Sequence, residues 1–201
     1  MGGAMVDKKQ FLSKSEQDIE GQRVVNFHWT ESLISADVTC AFPDGANYTG
    51  GMKDGRFHGT GTYVWPDGSR YEGQWSNDLP EGSGTFLLSD GYRYEGHWKN
   101  GHPEGEGTET MPNGGRYHGQ WVNGIKDGQG EITYPNGRRY NGQWKNGMCH
   151  GFGTLVFSDG SQYEGEWREN NMHGSGVLSF ADGKKCRGEW VNEEFKILEM
   201  L

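Results

Sequence analysis

The chain has 201 residues, a net charge of −9, 32% hydrophobic residues, 13% aromatic residues, 35 Gly and eight Trp. So few aliphatic side chains exclude a thick globular core, and so many rings exclude a disordered chain. The acidic balance argues against general nucleic-acid binding, which needs clustered Lys and Arg.

Residues 1–24 are polar, with a weak apolar stripe at Phe11, Leu12 and Ile19, and read as a mobile leader or one short helix. Residues 25–47 read as a worn first copy of a repeat. Trp29 keeps a ring position, and Phe42-Pro43-Asp44-Gly45 matches Trp65-Pro66-Asp67-Gly68. An atypical terminal copy is what a capping repeat looks like.

The array proper spans residues 48–192. Tyr71-Glu72-Gly73-Gln74-Trp75 returns at Tyr94, Tyr117, Tyr140 and Tyr163, each 23 residues after the last. Tyr71, Gly73 and Trp75 fall on one face of a strand, with Glu72 and Gln74 on the other. Residues 76–83 read as a turn. Residues 84–88 read as the second strand, with Gly84, Phe86 and Leu88 on one face. Ser89-Asp90-Gly91 is a second turn. Each unit is therefore a β-hairpin, and Gly is too frequent for helix. The last unit, from Cys186, reads as one strand ending at Trp190, and residues 193–201 as an apolar tail. That incomplete end is a candidate edge for a homodimer.

A hairpin alone is unstable. Burying each ring contributes about 2–3 kcal/mol, and good ring pairs add about 0.5–1.5 kcal/mol. Gly73, between Tyr71 and Trp75, leaves room for a neighbouring ring and lets the sheet bend. The fold class expected is all-β, a single-layer curved solenoid of tandem antiparallel hairpins.

No catalytic constellation stands out, and no cofactor is implied. The place ten residues after each Tyr holds His58, Glu81, Glu104, Asp127, His150 and His173. Equivalent residues of adjacent hairpins are about 10 Å apart, too far to share one metal ion. These side chains are expected to hydrogen-bond a turn or a neighbouring backbone. Cys40, Cys149 and Cys186 lie at unrelated repeat positions, which is no disulfide framework and fits a reducing, cytoplasmic setting.

Arg70, Arg93, Arg116, Arg139 and Lys185 precede the tyrosine position. Pairing with Glu72, Glu95 and Glu164 is one reading. The other is a lipid-headgroup ladder of Arg93, Arg116, Arg138 and Arg139, in which Arg138-Arg139 is least compensated. The rings also carry two compatible readings: a core, and an aromatic groove for a peptide or helix at Tyr94, Trp98, Tyr117, Trp121, Tyr140 and Trp144. Phe57, Tyr92 and Phe152 are apolar where the repeat does not demand it, which marks them as partner contacts.

The string Tyr140-Asn141-Gly142-Gln143-Trp144, followed by Lys145-Asn146-Gly147 and His150-Gly151-Phe152-Gly153, closely resembles the MORN repeat (membrane occupation and recognition nexus). Departures are Met52 for Trp, Cys186 for Tyr, and Leu88 and Met111 for a strand aromatic. The resemblance implies a scaffold or adaptor in a cytoskeletal, ciliary, junctional or cell-division assembly. The leading expectation is a non-enzymatic, cytoplasmic scaffold, associated with cytoskeleton or cilium, whose aromatic concave face binds a partner peptide or helix. The alternatives are a peripheral phosphoinositide or anionic-membrane module, and the accessory segment of a larger enzyme, since similar arrays accompany some lipid kinases and lysine methyltransferases.

Overall fold

The computed structural model describes residues 24–25, 38–191 and 194–201. Apart from Val24, the expected leader lies outside these, as does most of the worn first copy, including Trp29. The chain divides into two compact units, Met1–Glu109 and Thr110–Leu201.

The described residues of both units are all-β. In the first, strands follow chain order: β1 (Val24–Val25), β2 (Val38–Ala41), β3 (Asn47–Lys53), β4 (Arg56–Val64), β5 (Arg70–Ser76), β6 (Leu79–Leu87), β7 (Arg93–Lys99) and β8 (His102–Thr110). The second holds β9 (Arg116–Val122), β10 (Ile125–Thr133), β11 (Arg139–Lys145), β12 (Met148–Val156), β13 (Gln162–Arg168), β14 (Asn171–Ser179), β15 (Lys185–Val191) and β16 (Glu194–Met200). Within each unit, neighbours in sequence are neighbours in the sheet, as tandem hairpins require. Val24, the last residue of the expected leader, pairs with Ala41, and Val25 of the capping copy with Cys40, both as strand.

The hairpin turn is shorter than the sequence suggests. Residues 76–83 are not one turn: β5 runs to Ser76 and β6 starts at Leu79. Only Asn77 and Asp78 turn, at φ 49° and 68°. Positive φ at both central residues is the type I′ geometry that matches strand twist. Asn100-Gly101, Asn123-Gly124 and Asn146-Gly147 do the same.

The Pro-Glu-Gly-Ser stretch that resembles a turn is a strand with a bulge. Register shifts between Gly73 and Trp75, and Gly82 takes φ 70° to absorb the extra length. The Gln74 side chain accepts from the Ser83 N–H at 2.8 Å and closes the bulge. Gln120 and Gln143 repeat this on Gln129 and Phe152.

The second turn, between hairpins, is an Asx turn. Asp67, Asp90, Asn136 and Asp159 each accept the N–H two residues on.

The last hairpin corrects the one-strand expectation. Residues 194–200 form β16, and Trp190 pairs with Phe195 and Glu189 with Lys196. Ile197, Leu198, Met200 and Leu201 are exposed along it.

Candidate functional site

Alternation puts Tyr71 and Trp75 on one face and Arg70, Glu72 and Gln74 on the other, as the burial pattern of β5 shows. The repeat tyrosines Tyr48, Tyr71, Tyr94, Tyr117, Tyr140 and Tyr163 each lie down on their own hairpin. A methyl group built at Gly84, or at its equivalent Gly130, would overlap the ring of Tyr71 or Tyr117. The Tyr71 hydroxyl donates to the Gln74 carbonyl at 3.0 Å, and Tyr117 to that of Gln120 at 3.1 Å. Gly84 and Gly130 thus receive the ring of the same hairpin, while Gly73, where the sequence suggested room for a neighbouring ring, faces the Gly84 backbone and the Tyr71 hydroxyl.

Trp75, Trp98, Trp144 and Trp167 each link two hairpins. Trp144 meets Tyr140 edge-on at 5.5 Å and Tyr117 of the preceding hairpin at 5.1 Å. Its Nε1 donates to the Gly130 carbonyl at 3.0 Å. Trp75, Trp98 and Trp167 donate likewise to Gly61, Gly84 and Gly153.

The six proposed groove residues are the centre of this packing. Tyr94, Trp98, Tyr117, Trp121, Tyr140 and Trp144 are at most 6% exposed. Part of their cover comes from the chain itself. Pro80 and Cys149 pair with Trp75 and Trp144 and are buried. Lys126 stands in the same row, its Nζ 4.8, 5.5 and 5.8 Å from the rings of Tyr117, Trp121 and Trp144.

Burial sets the chemistry of these groups. It pushes the Cys149 thiol up to about 12, which makes it a poor nucleophile. It also raises the phenol of Tyr163 from the ordinary 10.0 to about 12. The phenols of Tyr71, Tyr94 and Tyr140 are raised by burial too.

The unfolded chain releases these protons near pH 10, while the fold keeps them. Stability is therefore complete below about pH 10 and falls as pH rises through the window from about 10 to 12. In an alkaline titration, tyrosinate absorbance is expected to rise in step with loss of the far-ultraviolet circular dichroism signal. Full tyrosinate formation with the signal intact would contradict this.

The period-breaking residues divide. Phe57 is buried and stacks on Tyr48 at 3.8 Å and 16°. It fills the space beside Met52, which stands where other units have Trp and is its cross-strand partner. Tyr92 is buried and donates to the buried Glu109 carboxylate at 3.0 Å. Phe152 alone of the three is exposed, at 60%.

Phe152 lies on the polar face, paired with Glu166 across the sheet. It borders a shallow concavity of about 470 Å³ with Gln143, His150, Glu166, Arg168 and His173. In the first unit, a concavity of about 370 Å³ opens on the same face, between Thr49, Thr60, Thr62, Glu72 and Gln74. No ring lines the first-unit hollow, whereas Trp167 also borders the one beside Phe152. The signal was in the sequence: Phe152 interrupts a row otherwise held by Thr60, Ser83, Glu106, Gln129 and Ser175.

Two acids of the recurrent His/Glu/Asp position serve the neighbouring turn, as expected. Glu81 accepts from the Asn100 N–H at 2.9 Å and Asp127 from the Asn146 N–H at 3.1 Å. Among the described residues, no three His, Cys, Asp or Glu side chains gather as a metal site. Arg93 pairs with Glu95 of its own strand at 2.7 Å, both well exposed. Arg116 and Arg139 are exposed on the polar face. Arg138 is held between rings, 6.0 Å from Tyr134 and 5.6 Å from Phe157.

No curated protein sequence matches the chain significantly. Solved structures with a similar strand arrangement include the TCP domain of Drosophila melanogaster SAS-4 (dCPAP), solved with a proline-rich motif of Ana2 (dSTIL). It has 16% identity and a TM-score of 0.48, covering 81% of this chain and 96% of that one. The wild-type TCP10 domain of Danio rerio CPAP has 18% identity and a TM-score of 0.37, covering 90% and 99%. The CPAP G-box domain has 13% identity and a TM-score of 0.39, covering 82% and 99%. The MORN repeat signature, by contrast, matches in register at residues 48–70, 71–91, 94–116, 117–138, 140–162 and 163–185, so the chain belongs to the MORN-repeat family.

Proposed function

We propose that this chain is a non-enzymatic interaction scaffold that binds a partner protein through the polar face of its hairpins, in a cytoskeletal or ciliary assembly. The observation that carries the reading is Phe152: an aromatic side chain, 60% exposed, beside a hollow on an otherwise polar face. Exposed rings in a concavity are what binding hot spots are built from. The ladder of Tyr117, Trp121, Tyr140 and Trp144 backs this surface from the opposite side and holds its strands in register. The ligand expected is a peptide segment that sets an apolar side chain against Phe152 and polar groups against His150 and His173.

The test is quantitative affinity purification with the intact chain and its Phe152→Ala variant, with melting curves beside it. Truncating a hot-spot ring costs about 2 kcal/mol or more, so partner recovery should fall by more than about tenfold. Most of the Phe152 side chain is exposed, so the melting temperature should hold. Equal recovery of every partner by both proteins would refute the assignment.

A further inference from the structure

Three turns between hairpins of the second unit open on a ring, Tyr134, Phe157 or Phe180, and a fourth opens on Met111. Tyr134 is 37% and Phe180 43% exposed. Arg138 closes the first of these turns. Its carbonyl accepts from the Tyr134 N–H at 2.8 Å, and its own N–H donates to the Asn136 side chain at 3.1 Å. The backbone beneath the side chain is thus fixed at both ends. The guanidinium is flanked by Tyr134 and Phe157, and its Nε is buried without a hydrogen-bond partner. Among the described residues no carboxylate forms an ion pair with it.

The equivalent place in other turns holds Ser69, Tyr92, Gly115, Ser161 and Lys184, so the repeat does not require Arg here. A guanidinium held between two rings has already lost much of its rotamer freedom, which lowers the entropic cost of binding. With Nε buried, its two terminal nitrogens form the fork that matches a planar carboxylate.

We propose that Arg138 is a carboxylate-binding residue for an acidic peptide segment of a partner protein, which lays an apolar side chain on the adjoining turn rings. A peptide is favoured over a membrane by the charges along the same edge. Asp159 sits exposed in the next turn, and Asp182, in the one after, is exposed and paired with Lys184 at 2.6 Å. An anionic bilayer would meet them together with Arg138, whereas one peptide carboxylate needs to meet Arg138 alone. The proposal shares with the Phe152 reading only the premise that the chain binds protein.

The experiment selects a phage library of random peptides on the intact chain, then titrates the enriched peptides, made synthetically, against Arg138→Ala, Arg138→Lys and Phe152→Ala. Melting curves check each fold. The expected peptides carry Asp or Glu beside an apolar residue. Their affinity falls about tenfold or more with Arg138→Ala, as for loss of a charged hydrogen-bond pair. Arg138→Lys is expected to restore little, because lysine has no planar fork. Phe152→Ala should leave these peptides bound.

Four results would overturn the proposal: no enrichment, enriched peptides without an acid, equal binding by Arg138→Ala, or loss confined to Phe152→Ala. The last would leave the Phe152 surface standing. Phosphatidylcholine vesicles carrying phosphatidylinositol bisphosphate form the remaining arm. Arg138-dependent binding to them, with no acidic peptide captured, would assign the residue to lipid instead.

Discussion

Replacing Gly130 by alanine is expected to destabilise the second unit by about 3 kcal/mol, although the change adds one methyl group to a solvent-proximal sheet. The new Cβ would occupy the space of the Tyr117 ring. That ring is fully buried, lies across the Gly119–Gly130 pair and donates its hydroxyl to Gln120. It cannot lift without leaving its contacts with Trp121 at 5.3 Å and Trp144 at 5.1 Å. The Gly130 carbonyl is also the acceptor for Trp144, so two links of the ladder share this residue.

Gly137→Ala is the control. Gly137 has φ 82° and open space around it, so only the backbone preference is lost, at about 1 kcal/mol. Urea melts of the two variants separate a ring-bed glycine from a turn glycine. Equal losses would mean that the rings do not depend on the glycine bed.

Trp144→Ala is expected to cost about 3–5 kcal/mol, the usual range for a large buried ring. It removes the contacts to Tyr117 and Tyr140 and leaves the Gly130 carbonyl without its indole donor. Trp144→Phe retains most of the packing and loses the donor, at about 1–2 kcal/mol.

The first unit suggests a rescue. There, Met52 stands at the Trp position, and its cross-strand partner Phe57 stacks on Tyr48. Cys149 is the corresponding partner of Trp144. Trp144→Met combined with Cys149→Phe should therefore be more stable than Trp144→Met alone, measured by urea unfolding. A double variant no better than the single one would show that Phe57 does not replace the missing indole. Because each hairpin contacts chiefly its neighbours, these losses should appear as local opening around β9 to β12 before global unfolding.

The face that each strand buries was legible because period-2 alternation is a local property. Tyr71, Gly73 and Trp75 need only three alternate positions to declare themselves. The turn was less legible. Pro80, Glu81, Gly82 and Ser83 have turn composition, yet a bulge needs the same residues, and only the φ values of Asn77 and Asp78 distinguish the two. Phe57 shows a second limit. It resembles a stray surface apolar until Met52 is known to lie across from it.

Phe152 was readable as a break in the repeat, but the hollow beside it was not, since a concavity arises from how strands bend together. Tyr92 needed its partner: Glu109 occupies a core position that Phe86 and Ile132 fill elsewhere, and the Tyr92 hydroxyl serves that acid. Departures from the period therefore mark two different things. Phe57 and Tyr92 repair the core, whereas Phe152 and Arg138 face outward from it.

The central claim is that the aromatic ladder is the core of the sheet and that binding belongs to surfaces away from it. Hydroxyl-radical footprinting of the free chain, read residue by residue by mass spectrometry, tests this most directly. The rings of Tyr117, Trp121, Tyr140 and Trp144 should be protected relative to their intrinsic reactivity, while Phe152 and Tyr134 are modified readily. Ladder rings modified as fast as Phe152 would contradict the claim, and would return the aromatic face to the role of an open groove.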